Sequence, residues 1–296
     1  MGRRILHPDF QNIFVAASSR KALVFRGTWD GTRWKNGKLT TQDGRLSYPV
    51  SEGIPNFILE DREDLWKDQD IREVREGDWI RRNWQSGIEA MGKKSTRTRF
   101  CKEMAEGDGL ILEVAAGPGG GNAPGVLRFN PSAKILMNDL GILILNEWQA
   151  FLRDGRLGSN VSLAAFDATS SPIRNDSLDI VSGLGAFGNI AGTETALQEV
   201  FRVLRKGGRL FLVDGIIQED GFSKLPVEVQ EEWRRKHPCI GKGYTDLVEG
   251  AGFQITDYME EGGGVIRGDE SELGRIAQQH GVTLSSIGCR IRAEKL

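Results

Sequence analysis

The sequence predicts an α/β protein built on an open, mostly parallel sheet, and three observations predict it. After Leu110, apolar runs at 110–114, 133–137, 161–166, 178–182 and 209–213 alternate with helical stretches. Strands that alternate with helices bury both faces of a parallel sheet. Several of these runs end in glycine or aspartate, and the ligand of an open parallel sheet sits beyond the carboxyl ends of its strands. The first 60 residues have a different texture, in which short apolar runs are separated by turns.

That first segment reads as a small antiparallel β module. NIFVAA and KALVF are followed by GTWDGTRWKNGKLTTQDGRLSYPV, where Asp30-Gly31 and Asp43-Gly44 are hairpin signals. From Glu60 to Glu106 the chain becomes charged and helical. Trp66, Ile71 and Val74, and then Ile80, Trp84 and Ile88, recur near the helical period. The expected division is therefore a β module at 1–60, helical linker and substrate-covering helices at 61–106, and an α/β domain at 107–296.

Composition removes several function classes. The 296 residues are 39% hydrophobic and 27% charged, with a formal net charge of −2, ordinary for a globular protein. A slightly acidic chain lacks the basic excess of a protein that holds long nucleic acid. Three separated cysteines, Cys101, Cys239 and Cys289, form no CxxC pair; this suits a reducing cytoplasm and offers no disulfide framework. No apolar run approaches the roughly 18 residues of a membrane span. The N-terminus lacks the apolar segment of a signal peptide. A cytoplasmic protein is expected.

The strand ends carry the chemistry. The first strand runs into LILEVAAGPGGGN, where glycines let the backbone turn tightly and approach a ligand. The second ends at Asp139, about 20 residues beyond the glycines, where a carboxylate can accept from both hydroxyls of a ribose. The third ends at Asp167-Ala168. There a carboxylate can accept from an adenine amino group while the next backbone N–H donates to a ring nitrogen. A pyrophosphate site has no use for that pair, so a dinucleotide is disfavoured.

LILEVAAGPGGG, ILMNDL, FDATSSPIRNDSLDIV and ALQEVFRVLRKGGRLFLVDG, in this order over 110–214, resemble the class I S-adenosylmethionine (SAM)-dependent methyltransferases. The subgroup containing ubiquinone and menaquinone biosynthesis methyltransferases is the most similar. GYTDLVEGAGFQITDY resembles the later helix and sixth strand. The resemblance implies a Rossmann-like, doubly wound, seven-stranded sheet with its last strand antiparallel, and SAM as cofactor. It implies that Glu113, Ala115, Gly117 and Gly119 border the methionine part. Asp139 would hold the ribose, Leu140 would pack on adenine, and Asp167 and Ala168 would read the adenine edge. Ser182, Gly183 and Leu184 would face the sulfonium. The loop is richer in glycine than most of its relatives, and the sequence does not say why.

The methyl acceptor is far less legible. A small molecule with an O, N or C nucleophile is expected; an RNA or protein substrate, or SAM binding without methyl transfer, are the alternatives. SGLGAFGNIAGTE after the fourth strand has no histidine and no acid before Glu194. Phe187 and Asn189 are candidates to touch substrate, or else Phe187 packs and Asn189 caps the next helix. His237 is a candidate base, but a solvent-facing side chain beside a proline turn is the simpler expectation. Asp214 could face the pocket or cap a turn. The Asn/Asp-Pro-Pro-Tyr loop of amino-methylating enzymes is absent. Arsenite methylation is disfavoured because the fourth-strand loop has no cysteine, so the cysteines read as packing residues. Residues 71–102 carry nine Lys/Arg against four acids. That excess could steer an anionic acceptor or RNA, although a solvated helix face is the simpler reading.

LSYPVSEGIPNFIL at 46–59 resembles an element of a zinc-ribbon-like module found ahead of methyltransferases and in tRNA-methyltransferase activator subunits. In metal-binding versions two CxxC pairs precede it. His7/Phe10 and Thr41/Gly44 stand at those places, so no zinc site is expected. The resemblance implies a metal-free relic that braces the domain, covers substrate or pairs two subunits as a homodimer.

Overall fold

The computed structural model describes residues 6–60, 62, 65–155, 160–237, 239–268 and 271–296. The first four strands form one antiparallel sheet in sequence order: β1 (Leu23–Asp30), β2 (Arg33–Thr41), β3 (Ser47–Ser51) and β4 (Ile54–Pro55). The Asp30-Gly31 pair opens the tight β1–β2 turn, across which Asp30 faces Arg33. Gly31 and Gly44 both take positive φ, as hairpin turns of this kind require.

The main sheet has seven strands. They are β5 (Leu110–Glu113), β6 (Lys134–Asp139), β7 (Val161–Ala165), β8 (Leu178–Leu184), β9 (Leu204–Ile217), β10 (Gln254–Ile266) and β11 (Leu284–Glu294). The spatial order is β10-β11-β9-β8-β5-β6-β7. β7, β6, β5, β8 and β9 run parallel, and β11 is antiparallel to both of its neighbours. Strand order reverses between β5 and β8, which diverge at their carboxyl ends into the crevice where such folds bind ligands.

Two apolar layers cover this sheet. On one side Ile71, Val74, Ile80, Trp84 and Phe100, from the helices Asp68–Glu76, Trp79–Ala90 and Thr96–Met104, pack with Trp148 and the sheet. On the other side the helix Thr193–Val203 shares a core with the small sheet. Phe14, Trp34, Tyr48 and Phe57 join the same cluster as Leu112, Leu136, Phe166 and Val181. Fully burying one such side chain stabilises by about 1.5–3 kcal/mol, so this shared interior fixes the β module to the α/β domain. The backbone continues the attachment. Phe57 N donates to Ala165 O at the open edge of β7, and Val15 N donates to Pro172 O.

Of the residues that stand in place of the two CxxC pairs, Phe10 and Thr41 are buried. The Thr41 hydroxyl donates to Asp43, and the His7 ring accepts from Asp9 N as a helix cap. A third, smaller cluster of Phe222, Leu225, Trp233, Ile240, Leu273 and Leu284 sits over the ends of β9 and β11.

Two details depart from the sequence expectation. The first linker helix begins at Asp68, with Lys67 at the N-cap position donating its backbone N–H to the Asp70 carboxylate. Trp66 is thus left outside the helical period and reaches back toward β6. β9 extends to Leu204–Ile217, with a bulge opposite Leu178/Ile180 that admits Lys206-Gly207-Gly208.

Candidate active site

A cavity of about 470 Å3 opens at the carboxyl ends of β5, β6 and β8. Its floor is the glycine loop. Gly117 and Gly119 line it, and a Cβ added to either would meet no atom within 4 Å. A side chain at these places would project into open cavity, so bare backbone is what keeps the space. Ala115, Asp139, Leu140, Asp167, Ala168 and Leu184 also line it.

The loop's extra glycines have a steric cause. Gly120 has φ +69°, and a Cβ there would stand 2.7 Å from the buried Trp148 ring. Gly121 has φ +57°, and its Cβ would fall 1.8 Å from the Glu113 carboxyl. Two side chains therefore press the loop from below, and no other residue type fits above them.

Glu113 lies in that lower layer. It is 1% exposed, and its Oε1 has no hydrogen-bond partner. Burial pushes its pKa up to about 7, against hydrogen bonds from Ser182 and the Asn122 backbone. Ser182 is fully buried and accepts from Asn122 Nδ2 at 3.0 Å. Arg97 completes the underlayer, donating to Asn122 Oδ1 and Gly121 O. Gly183 packs on Phe187, whose ring a Cβ would approach to 2.7 Å. Glu113, Ser182 and Gly183 thus stand behind the cavity wall rather than in it, because the short β5 and β8 ends turn these residues inward.

The two aspartates that line the cavity are both held. Asp139 is 6% exposed. It accepts from Gly117 N at 2.9 Å, Gly141 N at 3.0 Å and Trp66 Nε1 at 3.1 Å. Burial raises its pKa, and the backbone N–H groups of Gly141 and Gly117 oppose the rise. Asp167 caps the turn Ala168–Ser170 by accepting from Thr169 N and Oγ1, and its other oxygen accepts from Arg62 at 2.6 Å. Burial works to raise Asp167, but the bonds from Thr169 and Arg62 outweigh it and hold the carboxyl low. Sequence reasoning missed Arg62 and Trp66. Their signal was two cavity residues on a linker read only for helical period.

A second cavity, of about 340 Å3, adjoins the first and shares Asn189 with it. Gly188, Asp214, His237, Cys239 and Tyr244 stand on its wall, and Ile217, Trp233, Ile240 and Leu273 make the rest mainly apolar. All three candidate acceptor residues, Asn189, Asp214 and His237, come together here. Asp214 accepts from Gly188 N at 3.0 Å and from Gly215 N at 2.8 Å. Burial raises its pKa against those bonds.

His237 is not the solvent-facing side chain expected. Its ring stacks on Trp233 at 4.9 Å and 12°, and its Nδ1 bonds Gly188 O; the proline of the expected turn, Pro238, lies outside the described residues. Phe187 is fully buried packing. Asn189 donates to Gly185 O, while Gly192 occupies the cap of the following helix. Cys239 lines the second cavity, and Cys101 and Cys289 are buried. Burial pushes all three thiols up to about 12, which keeps them unreactive near neutral pH. No helix among the described residues is long and apolar enough to cross a membrane.

Comparison with known proteins agrees with this geometry. Residues 112–212 match a family profile described as a methyltransferase domain. A ubiquinone/menaquinone biosynthesis C-methyltransferase of Hahella chejuensis is 26% identical over 202 residues, covering 61% of this chain and 80% of the relative. A demethylmenaquinone methyltransferase of Lactococcus lactis is 25% identical over 197 residues, covering 57% and 76%. Among solved structures, phosphoethanolamine N-methyltransferase 2 of Haemonchus contortus, in complex with SAM, superposes with a TM-score of 0.52 at 14% identity, over 84% of this chain and 62% of that one. The MccD protein superposes with a TM-score of 0.52 at 13% identity, over 69% and 98%. At such identities the superpositions speak for fold alone, and the profile and the sequence relatives add the chemistry. Together they make this chain a SAM-dependent methyltransferase with a class I, Rossmann-like domain.

Proposed function

We propose that the chain transfers the methyl group of SAM to a small, neutral, largely apolar acceptor seated in the second cavity. The observation that carries this reading is the meeting of the two cavities at Asn189, beyond the ends of β8 and β9. One is a polar, glycine-floored crevice; the other is mainly apolar, with Asp214 the one carboxyl group among its described lining residues.

Within the first cavity, Gly117 and Gly119 leave room for the methionine end. Asp139 accepts from the ribose; its three donors leave about one of its four lone-pair directions open. Leu140 packs on adenine, and Asp167 and Ala168 meet its edge, with Leu184 toward the sulfonium. Glu113, Ser182 and Gly183 act indirectly, by holding the loop from beneath.

Bound SAM supplies a methyl carbon already activated by positive sulfur. The protein has to align the acceptor for in-line displacement and exclude water. The S–CH3 electron pair returns to sulfur as the acceptor bonds carbon, and Asp214 takes any proton the acceptor releases. No Lys or Arg is among the described residues lining the second cavity, so none of these offers an anionic acceptor a fixed counter-charge. We further infer that residues 1–60 are a metal-free, zinc-ribbon-like brace, since their apolar face is spent on the shared core.

The sequence relatives' quinone-pathway names fit an apolar acceptor, and a ring carbon is one acceptor atom consistent with them. Labelled methyl transfer from SAM into an organic extract of cells tests the reading. Label in a small neutral product, reduced at least tenfold by Asp214→Asn, is expected. Label only in RNA or protein would overturn it.

A further inference from the structure

One group in the second cavity has no part in the chemistry above. Tyr244 directly precedes the helix Thr245–Gly250 and is fully buried, yet its hydroxyl has no hydrogen-bond partner. A buried hydroxyl left unpaired costs about 1–3 kcal/mol. Phenylalanine would fill nearly the same volume without that cost.

The hydroxyl is held at a defined place. A Cβ built on Gly188 would come 2.8 Å from Tyr244 Oη and 3.1 Å from Asp214 Oδ1. The bare α-carbon of Gly188 is what lets the hydroxyl and the carboxyl stand together at the cavity wall. Asp214 accepts from two backbone N–H groups, and no atom stands in hydrogen-bonding geometry to the tyrosine hydroxyl, which leaves it an uncommitted donor beside the carboxyl. Burial, then the nearby Asp214, drives its ionisation far upward, so it stays a protonated donor. The parallel Trp233 and His237 rings offer a flat apolar surface in the same cavity.

We propose that Tyr244 is an acceptor-binding residue whose hydroxyl donates to an oxygen carried by a flat, neutral ring, and so selects hydroxylated rings over bare ones. This rests on the second cavity being the acceptor site. The hydrogen bond is withheld until the acceptor arrives. A ring without an oxygen leaves the donor unpaired, and specificity of this kind follows from unpaired buried polar groups.

The test uses a near-isosteric pair, 4-fluorophenol and fluorobenzene, titrated by fluorine NMR into the full chain saturated with S-adenosylhomocysteine. Wild type should bind the phenol about tenfold more tightly. Tyr244→Phe should erase that preference, leave fluorobenzene binding unchanged and leave S-adenosylhomocysteine affinity within twofold, which also certifies the fold. Equal binding of the two probes to wild type, or a preference that survives Tyr244→Phe, would overturn the role of Tyr244 while leaving the cavity an acceptor site. Binding of neither probe would overturn both.

Discussion

The two cavities are neighbours, but they are built by different means. The first is made mostly of backbone and strand ends between residues 115 and 191, where glycines, cap aspartates and short turns follow one another along the chain, with Arg62 and Trp66 added from the linker. The second gathers residues from four separate places: the turn after β8, the end of β9, described residues between 233 and 244, and described residues between 266 and 273. A cofactor shared by many enzymes can be held by local chain geometry. An acceptor particular to one enzyme needs a surface assembled from insertions, because function is grafted onto folds at such loops.

The contrast can be broken from either side, most forcefully at the glycine loop. Gly121→Ala places a methyl group inside the Glu113 carboxyl at a left-handed backbone position. Strain and overpacking together should cost about 3 kcal/mol, read as a lowered midpoint of denaturant unfolding. An unchanged midpoint would mean that the loop does not rest on Glu113.

Glu113 itself should make stability depend on pH. Its pKa is raised from 4.5 to about 7 in the folded state. The folded chain therefore holds the extra proton between these values, and its stability falls as pH rises through about 7. Glu113→Gln should remove a difference between pH 5 and pH 8 of up to about 3 kcal/mol. Parallel slopes in the two proteins would contradict the buried, neutral carboxyl. Asp139 and Asp214 shift in the same direction, so the difference between variant and wild type is the informative quantity.

A smaller effect is expected at Asp167→Ala, which on the proposed assignment removes one contact to the adenine edge. S-adenosylhomocysteine affinity should fall about tenfold by calorimetry, as for one charge-assisted hydrogen bond. Smaller still is Gly188→Ala, which lies in the second cavity alone. It should cost about 1 kcal/mol of stability through the Tyr244 and Asp214 contacts and shift S-adenosylhomocysteine affinity less than twofold. A large loss of that affinity would mean that the cavities are not separable.

The same contrast governs what the sequence made legible. The parallel sheet, the glycine loop, Asp139 and Asp167-Ala168 could be read because each lies within a few residues of a strand end. The depth of Glu113 and Ser182 could not, since it depends on which way a strand end turns. The crowded glycines stayed unexplained in the sequence because their cause, Trp148 and the Glu113 carboxyl, acts through space. Asp214, His237 and Asn189 were named singly, but nothing local said that they meet. Trp66 was read only for helical period and Arg62 was not singled out, because the helix boundary at Asp68 decides how the linker before it reaches the cavity.

The division of labour rests most directly on S-adenosylhomocysteine binding to two variants, measured by calorimetry beside wild type. Asp139→Ala should weaken binding about thirtyfold, because the ribose contact and the anchor of Gly117 are lost together. Asp214→Asn, in the other cavity, should stay within twofold of wild type. Wild-type affinity in Asp139→Ala, or an equal loss in both variants, would contradict the assignment of the first cavity to the cofactor and the second to the acceptor.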